Sequence, residues 1–106
     1  MSKKLYCVAQ FEPKKGKEEE LFATLKALEP NSLREDGCVQ YVVTKHYPNR
    51  FAEGEAYSIV FHEIWADEQS FECHCQRDEI VAFFEKECLS KDGLVEQYNV
   101  TTYKDE

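Results

Sequence analysis

One run, Glu55 to Trp65 (EAYSIVFHEIW), sets the terms on which this chain can fold. Its β-branched and aromatic residues mark a strand. On a strand, alternate residues share a face. Tyr57, Ile59, Phe61, Glu63 and Trp65 therefore lie on one side, and Ser58, Val60, His62 and Ile64 on the other. Both sides are largely apolar, so both need a cover.

The rest of the sequence supplies one cover. Leu5 to Phe11, Cys38 to Tyr47 and Leu94 to Tyr103 are the other strand candidates. Lys17 to Leu28 reads as a helix, with Leu21, Leu25 and Leu28 on one stripe and Glu18, Glu19 and Glu20 at the positive end of its dipole. Pro30 is expected to kink this helix, whose last turn would end near Asp36-Gly37. Asp67 and Asp78 can each cap a further helix, one running to about Arg77 and the other to Leu89. Pro48 to Gly54 is a hairpin loop between the second and third strands. The order is βαββααβ in one domain over residues 1–106. It fits a ferredoxin-like α+β fold, a four-stranded antiparallel sheet with its helices on one face. The helices are then spent. The simplest cover for the second face is another copy of the same sheet, which predicts a homodimer.

Charge narrows the partners. The net charge is -8, and the three glutamates of the first helix follow directly on the basic run Lys14-Lys15-Gly16-Lys17. Such a surface repels phosphate backbones and anionic lipids, so no nucleic acid or membrane partner is expected. No apolar run approaches the ~20 residues of a membrane span, and the first residues lack the apolar stretch of a signal peptide, which predicts a cytoplasmic protein. Five cysteines without a CxxC then read as reduced thiols. Cys73-His74-Cys75 has the ligand types for a metal. Consecutive helical residues point about 100° apart, however, and do not converge on one ion, so no metal is expected.

The run from Tyr57 to His74 resembles the antibiotic biosynthesis monooxygenase (ABM) family of dimeric α+β barrels. The resemblance rests on Glu63, Trp65, Asp67, Ser70, Phe71 and His74, which match in order the family's strand ending in E-x-W and a following helix carrying a His. Phe11, Lys15, Gly16 and Glu18 match its first turn loosely, and Asp36-Gly37-Cys38 resembles its E-x-G-C step into the second strand. Many members carry a second His between the last two helices, where this chain has Gln76-Arg77-Asp78-Glu79-Ile80. The helix after it holds no His of the kind that ligates iron in the heme-degrading branch.

The resemblance implies a cofactor-independent monooxygenase that oxidises a small aromatic molecule, quinol- or anthrone-like, with O₂. The absence of a nucleotide-binding glycine motif agrees with a cofactor-free reaction. His74 is the expected general base, because an imidazole titrates near neutral pH. Glu63, a carboxylate among apolar neighbours, is the second catalytic candidate and would orient His74 or a substrate hydroxyl. Trp65 is expected as an aromatic wall, with Phe83, Tyr57, Tyr98 and Asn99 as further substrate-binding residues. Each also has a plainer role available: Trp65 as a core anchor, His74 as a satisfied buried histidine, Glu63 as a partner for a backbone group. Two other functions stay open, an isomerase of a small polar metabolite and a non-catalytic binding protein. Convergent Lys or Arg in the pocket would favour the isomerase.

Overall fold

The computed structural model describes residues 3–105. Four strands, β1 (Leu5–Pro13), β2 (Cys38–Lys45), β3 (Ile59–Trp65) and β4 (Val95–Lys104), form one antiparallel sheet in the order β2-β3-β1-β4. Helices α1 (Glu18–Lys26), α2 (Glu29–Leu33), α3 (Glu68–Cys75) and α4 (Asp78–Phe83) complete the ferredoxin-like arrangement, and a π-helical turn (Phe84–Leu89) continues α4.

Register decides which side chains meet the helices. β1 pairs with β3 through Leu5↔Trp65, Cys7↔Glu63, Ala9↔Phe61 and Phe11↔Ile59, and β2 adds Tyr41 opposite Glu63. These residues are all buried, together with Leu21 and Leu25 of α1 and Ile80 and Phe83 of α4. The opposite face carries Tyr6, Val8 and Gln10 of β1 and Val60, His62 and Ile64 of β3. It is half-buried at best, with His62 exposed.

Three local features depart from expectation. Pro30 does not kink one long helix. It stands in the first turn of the separate helix α2, where its missing N–H is not needed. The hairpin loop runs over residues 46–58, longer than the expected 48–54, and β3 begins only at Ile59. Glu12 explains the late start: its carboxylate accepts from Ser58 N (3.0 Å) and Ser58 Oγ (2.6 Å), replacing the next rung of the ladder. The helix expected over 79–89 changes pitch at Phe84, and there the buried Glu87 reaches forward to accept from Leu94 N at 3.0 Å.

Gly37 positions the site. Its φ is +83°, which L side chains rarely adopt, and a Cβ there would overlap Ser70 Oγ in the first turn of α3. Without one, the α2–β2 turn seats directly on the β3–α3 corner, where Gly37 O accepts from Ala66 N at 2.7 Å. Asp67 caps α3 by accepting from Ser70 N at 2.8 Å, a bond that also holds its carboxyl below the usual range.

Candidate active site

Between the sheet and the helices lies a cavity of about 60 Å³. Its walls are mostly aromatic and aliphatic: Phe11, Phe61, Phe71, Phe83, Phe84 and Ile80 among them. The polar groups it holds are Glu63, His74, the phenol of Tyr41 and the thiols of Cys7 and Cys75, and among the described residues no Lys or Arg lines it.

Glu63 owes its burial to its place in the middle of β3, between Cys7 of β1 and Tyr41 of β2. Burial raises its pKa to about 7, against the opposing pull of the Trp65 indole N–H, which donates to Oε1 at 3.1 Å, and of the Cys7 thiol. At neutral pH the carboxyl is therefore divided between acid and anion. Burial also pushes the Cys75 thiol up to about 11, so it is no ready nucleophile.

His74 faces inward from the last turn of α3 and is buried. Its ring sits 4.6 Å from the Trp65 ring and 5.2 Å from Tyr41, centroid to centroid. Nδ1 lies 2.8 Å from Glu35 Oε2, and the same oxygen accepts from Arg77 Nη1 at 2.7 Å. Burial lowers the pKa of His74, and the hydrogen bond and charge of Glu35 oppose that fall. The ring is therefore neutral at neutral pH and suited to accept a proton.

The structure brings His74, Glu63 and Phe83 to the cavity and disposes the other expected residues differently. Trp65 is fully buried behind His74, where it donates to Glu63 and lines no open space. Tyr98 faces the helix side but lies outside the cavity, against Phe84 at 5.7 Å. Asn99 pairs in register with Gln10 and donates to its side chain on the far face of the sheet. Tyr57 precedes β3, and its hydroxyl accepts from Gln97 at 3.1 Å. Three participants were not foreseen: Tyr41, Glu35 and Arg77. Glu35 had a usable signal, since it stands first in Glu35-Asp36-Gly37-Cys38, the E-x-G-C step itself. Arg77 sits in the step where the family often has its second His.

Among the described residues no group of His, Cys, Asp and Glu has a metal-binding arrangement, and no helix is long and apolar enough to cross a membrane. All five cysteines are free.

The sequence matches the family model for antibiotic biosynthesis monooxygenase over residues 5–86. The crystal structure of protein SO0527 from Shewanella oneidensis is similar to this one with a TM-score of 0.80 and 32% identity, covering 99% of this chain and 93% of that one. A candidate antibiotic biosynthesis monooxygenase from Deinococcus radiodurans has a TM-score of 0.76 at 15% identity, covering 96% and 92%. A dimeric protein of unknown function and ferredoxin-like fold from Bacteroides fragilis has a TM-score of 0.70 at 12% identity, covering 96% of each chain. At such identities the last two bear on fold alone. No curated protein matches the chain. The family model runs from β1 into the π-helical turn, and together with the Shewanella relative it makes this chain a member of the antibiotic biosynthesis monooxygenase family.

Proposed function

We propose that this protein is a cofactor-independent monooxygenase acting on a small aromatic substrate of the quinol or anthrone type. The observation that carries the reading is the cavity: aromatic walls, one neutral imidazole, one carboxyl of raised pKa, and no cationic side chain to hold a polar metabolite. For an anthrone, His74 Nε2 takes the acidic proton of the substrate. The resulting anion is electron-rich and poorly solvated in such a site, and it passes one electron to O₂. Recombination gives a carbon-bound peroxide. Loss of the remaining hydrogen on that carbon, with cleavage of the O–O bond, leaves a quinone carbonyl and one water. Glu63 in its acid form supplies a proton to the departing oxygen.

An isomerase is the second reading, favoured by the pairing of one acid and one base in a single cavity. Incubation with an anthrone under O₂ separates the two. Oxygen uptake matched by quinone formation is expected. Deuterium exchange into the probe without oxygen uptake would point to the isomerase, and neither would point to simple binding.

We also propose that the working form is a homodimer, with the uncovered sheet faces packed together. Its support is the row Val8, Val60 and Ile64, which no helix covers. Light scattering should give a dimer for the native chain and a monomer for Ile64→Lys, since an unpaired charge cannot be buried between the sheets. A native monomer at micromolar concentration would remove this part of the proposal.

A further inference from the structure

Glu35 is the least expected participant in the site. It precedes β2 by three positions and pairs with a histidine 39 positions away. Its side chain is 13% exposed, and a carboxylate at that depth is costly unless it is held. One oxygen, Oε2, meets both Nδ1 of His74 and Nη1 of Arg77. Gly37 enforces this delivery, because only a residue without Cβ lets the turn approach Ser70 so closely.

A carboxylate accepts hydrogen bonds and donates none, so a neutral His74 facing it must carry its proton on Nδ1. Nε2 then has a free lone pair, and it makes no hydrogen bond among the described residues. The ring packs against two neighbouring rings, Trp65 and Tyr41, and this contact opposes a flip that would exchange the two nitrogens.

We propose that Glu35 is the positioning residue of this site: by holding Nδ1–H it fixes the tautomer of His74 and turns the basic Nε2 to the cavity, with Arg77 as its counter-charge. The inference rests on the reading of His74 as the base. Glu35 itself touches no substrate and acts only through the imidazole.

The charged and titratable groups facing His74 are Glu35 from the α2–β2 turn, Arg77 and Glu79 at the start of α4, Glu63 from β3 and Tyr41 from β2. Glu35 and Glu79 favour the imidazolium, whereas burial and Arg77 oppose it. Loss of the Glu35 charge should therefore lower the midpoint of His74, and the ascending limb of a pH–rate profile should move to lower pH.

The test is ¹⁵N NMR of the three histidines, assigned with His46→Gln and His62→Gln. Native protein should show His74 with its proton on Nδ1. Glu35→Leu removes the acceptor at similar volume and should move the proton to Nε2. Glu35→Gln keeps an acceptor oxygen but no charge; it should retain the tautomer and lower the midpoint. A native ring protonated on Nε2, or a Glu35→Leu spectrum like the native one, would overturn the proposal. If Glu35→Leu does not fold, the Glu35→Gln titration decides, and an unchanged midpoint overturns it. Turnover is read separately. With an anthrone probe, Glu35→Leu should lose ~10²-fold or more in kcat, as loss of the orienting carboxylate does in other histidine-based sites. Native protein without turnover would remove the oxygenase reading and leave the tautomer result standing.

Discussion

The two walls of the cavity are built differently. On the β2–β3–α3 side, Tyr41, Trp65 and His74 are all buried and their rings lie 4.6 to 6.2 Å apart. Hydrogen bonds lock two of the three: Glu63 accepts from Trp65, and Glu35, itself held by Arg77, holds His74. On the α4–β4 side the contacts are rings and aliphatic groups: Phe83 on Phe84 at 5.4 Å and Phe84 on Tyr98 at 5.7 Å. Tyr98 and Val100 there are each 41% exposed. The difference separates two tasks. On the proposed function, the base has to be held in place, which takes directional bonds, whereas an entrance has to give way, which apolar contacts allow. Size requires the second task. An apolar cavity of ~150 Å³ takes benzene, so one of about 60 Å³ has to widen before an aromatic substrate enters.

The locked wall should be the more sensitive to substitution. His74→Ala is expected to reduce anthrone turnover by ~10²- to 10⁴-fold, the range for loss of a general base. Activity unchanged in that variant would remove the base assignment.

Glu63 gives the locked wall a pH signature. Its pKa is raised from an ordinary 4.5 to about 7 in the folded chain. The folded state thus holds the proton where the unfolded state has released it, and the corresponding stability is full below about 4.5 and lost as pH rises through about 7. The shift corresponds to a loss of about 3 kcal/mol as an order of magnitude. His74, whose pKa is lowered, works in the opposite sense: its share is present above its unfolded pKa and is lost as pH falls through the folded value. Denaturant titrations from pH 4 to 8 should show the Glu63 decline in native protein and its absence in Glu63→Gln. Equal slopes in the two proteins would mean that Glu63 does not carry this proton.

A third substitution acts on the hinge of the locked wall. Gly37→Ala should cost about 1–2 kcal/mol for the left-handed backbone, and more for the overlap with Ser70. Adding Ser70→Gly should recover the steric part and leave the backbone part. A Gly37→Ala protein as stable as the native one in urea would show that the turn has room to move.

These residues also mark how much the sequence disclosed. The order of strands and helices followed from hydrophobic period, because each element has one clear face. Glu63 and His74 were legible from strand and helix spacing once the E-x-W and the helical His were aligned. What failed was long-range. The start of β3 depends on Glu12, 46 positions away, and periodicity carries no trace of such a bond. Asn99 and Tyr98 alternate along β4, so only the register against β1 decides which of them meets the helices. Glu35 and Arg77 stand beside turns, where charged side chains are usually solvated and give no pattern to read. Their pairing with each other comes from the contact of the α2–β2 turn with the α3–α4 region, which Gly37 permits but does not announce.

The smallest effect should come from the yielding wall, and it tests whether that wall is the entrance. Phe84 is half-buried and touches Phe11, Phe83 and Tyr98, at 6.0, 5.4 and 5.7 Å between ring centroids. Phe84→Ala should destabilise the fold by ~1–3 kcal/mol, below the cost for a fully buried ring. It takes away no hydrogen bond and leaves His74 and Glu63 in place. Binding therefore ought to change more than chemistry: KM for a tricyclic anthrone should fall by a few-fold, with kcat within a few-fold of native. The same variant should leave KM for a single-ring quinol nearly unchanged, because a smaller molecule needs less widening. A drop in kcat as large as that of His74→Ala would mean that Phe84 helps to hold the reacting geometry, and the division of labour between the two walls would fall. An unchanged KM for the tricyclic probe would instead send the entrance elsewhere along the cavity, toward Phe71 and Cys75 of α3, which line it beside β1.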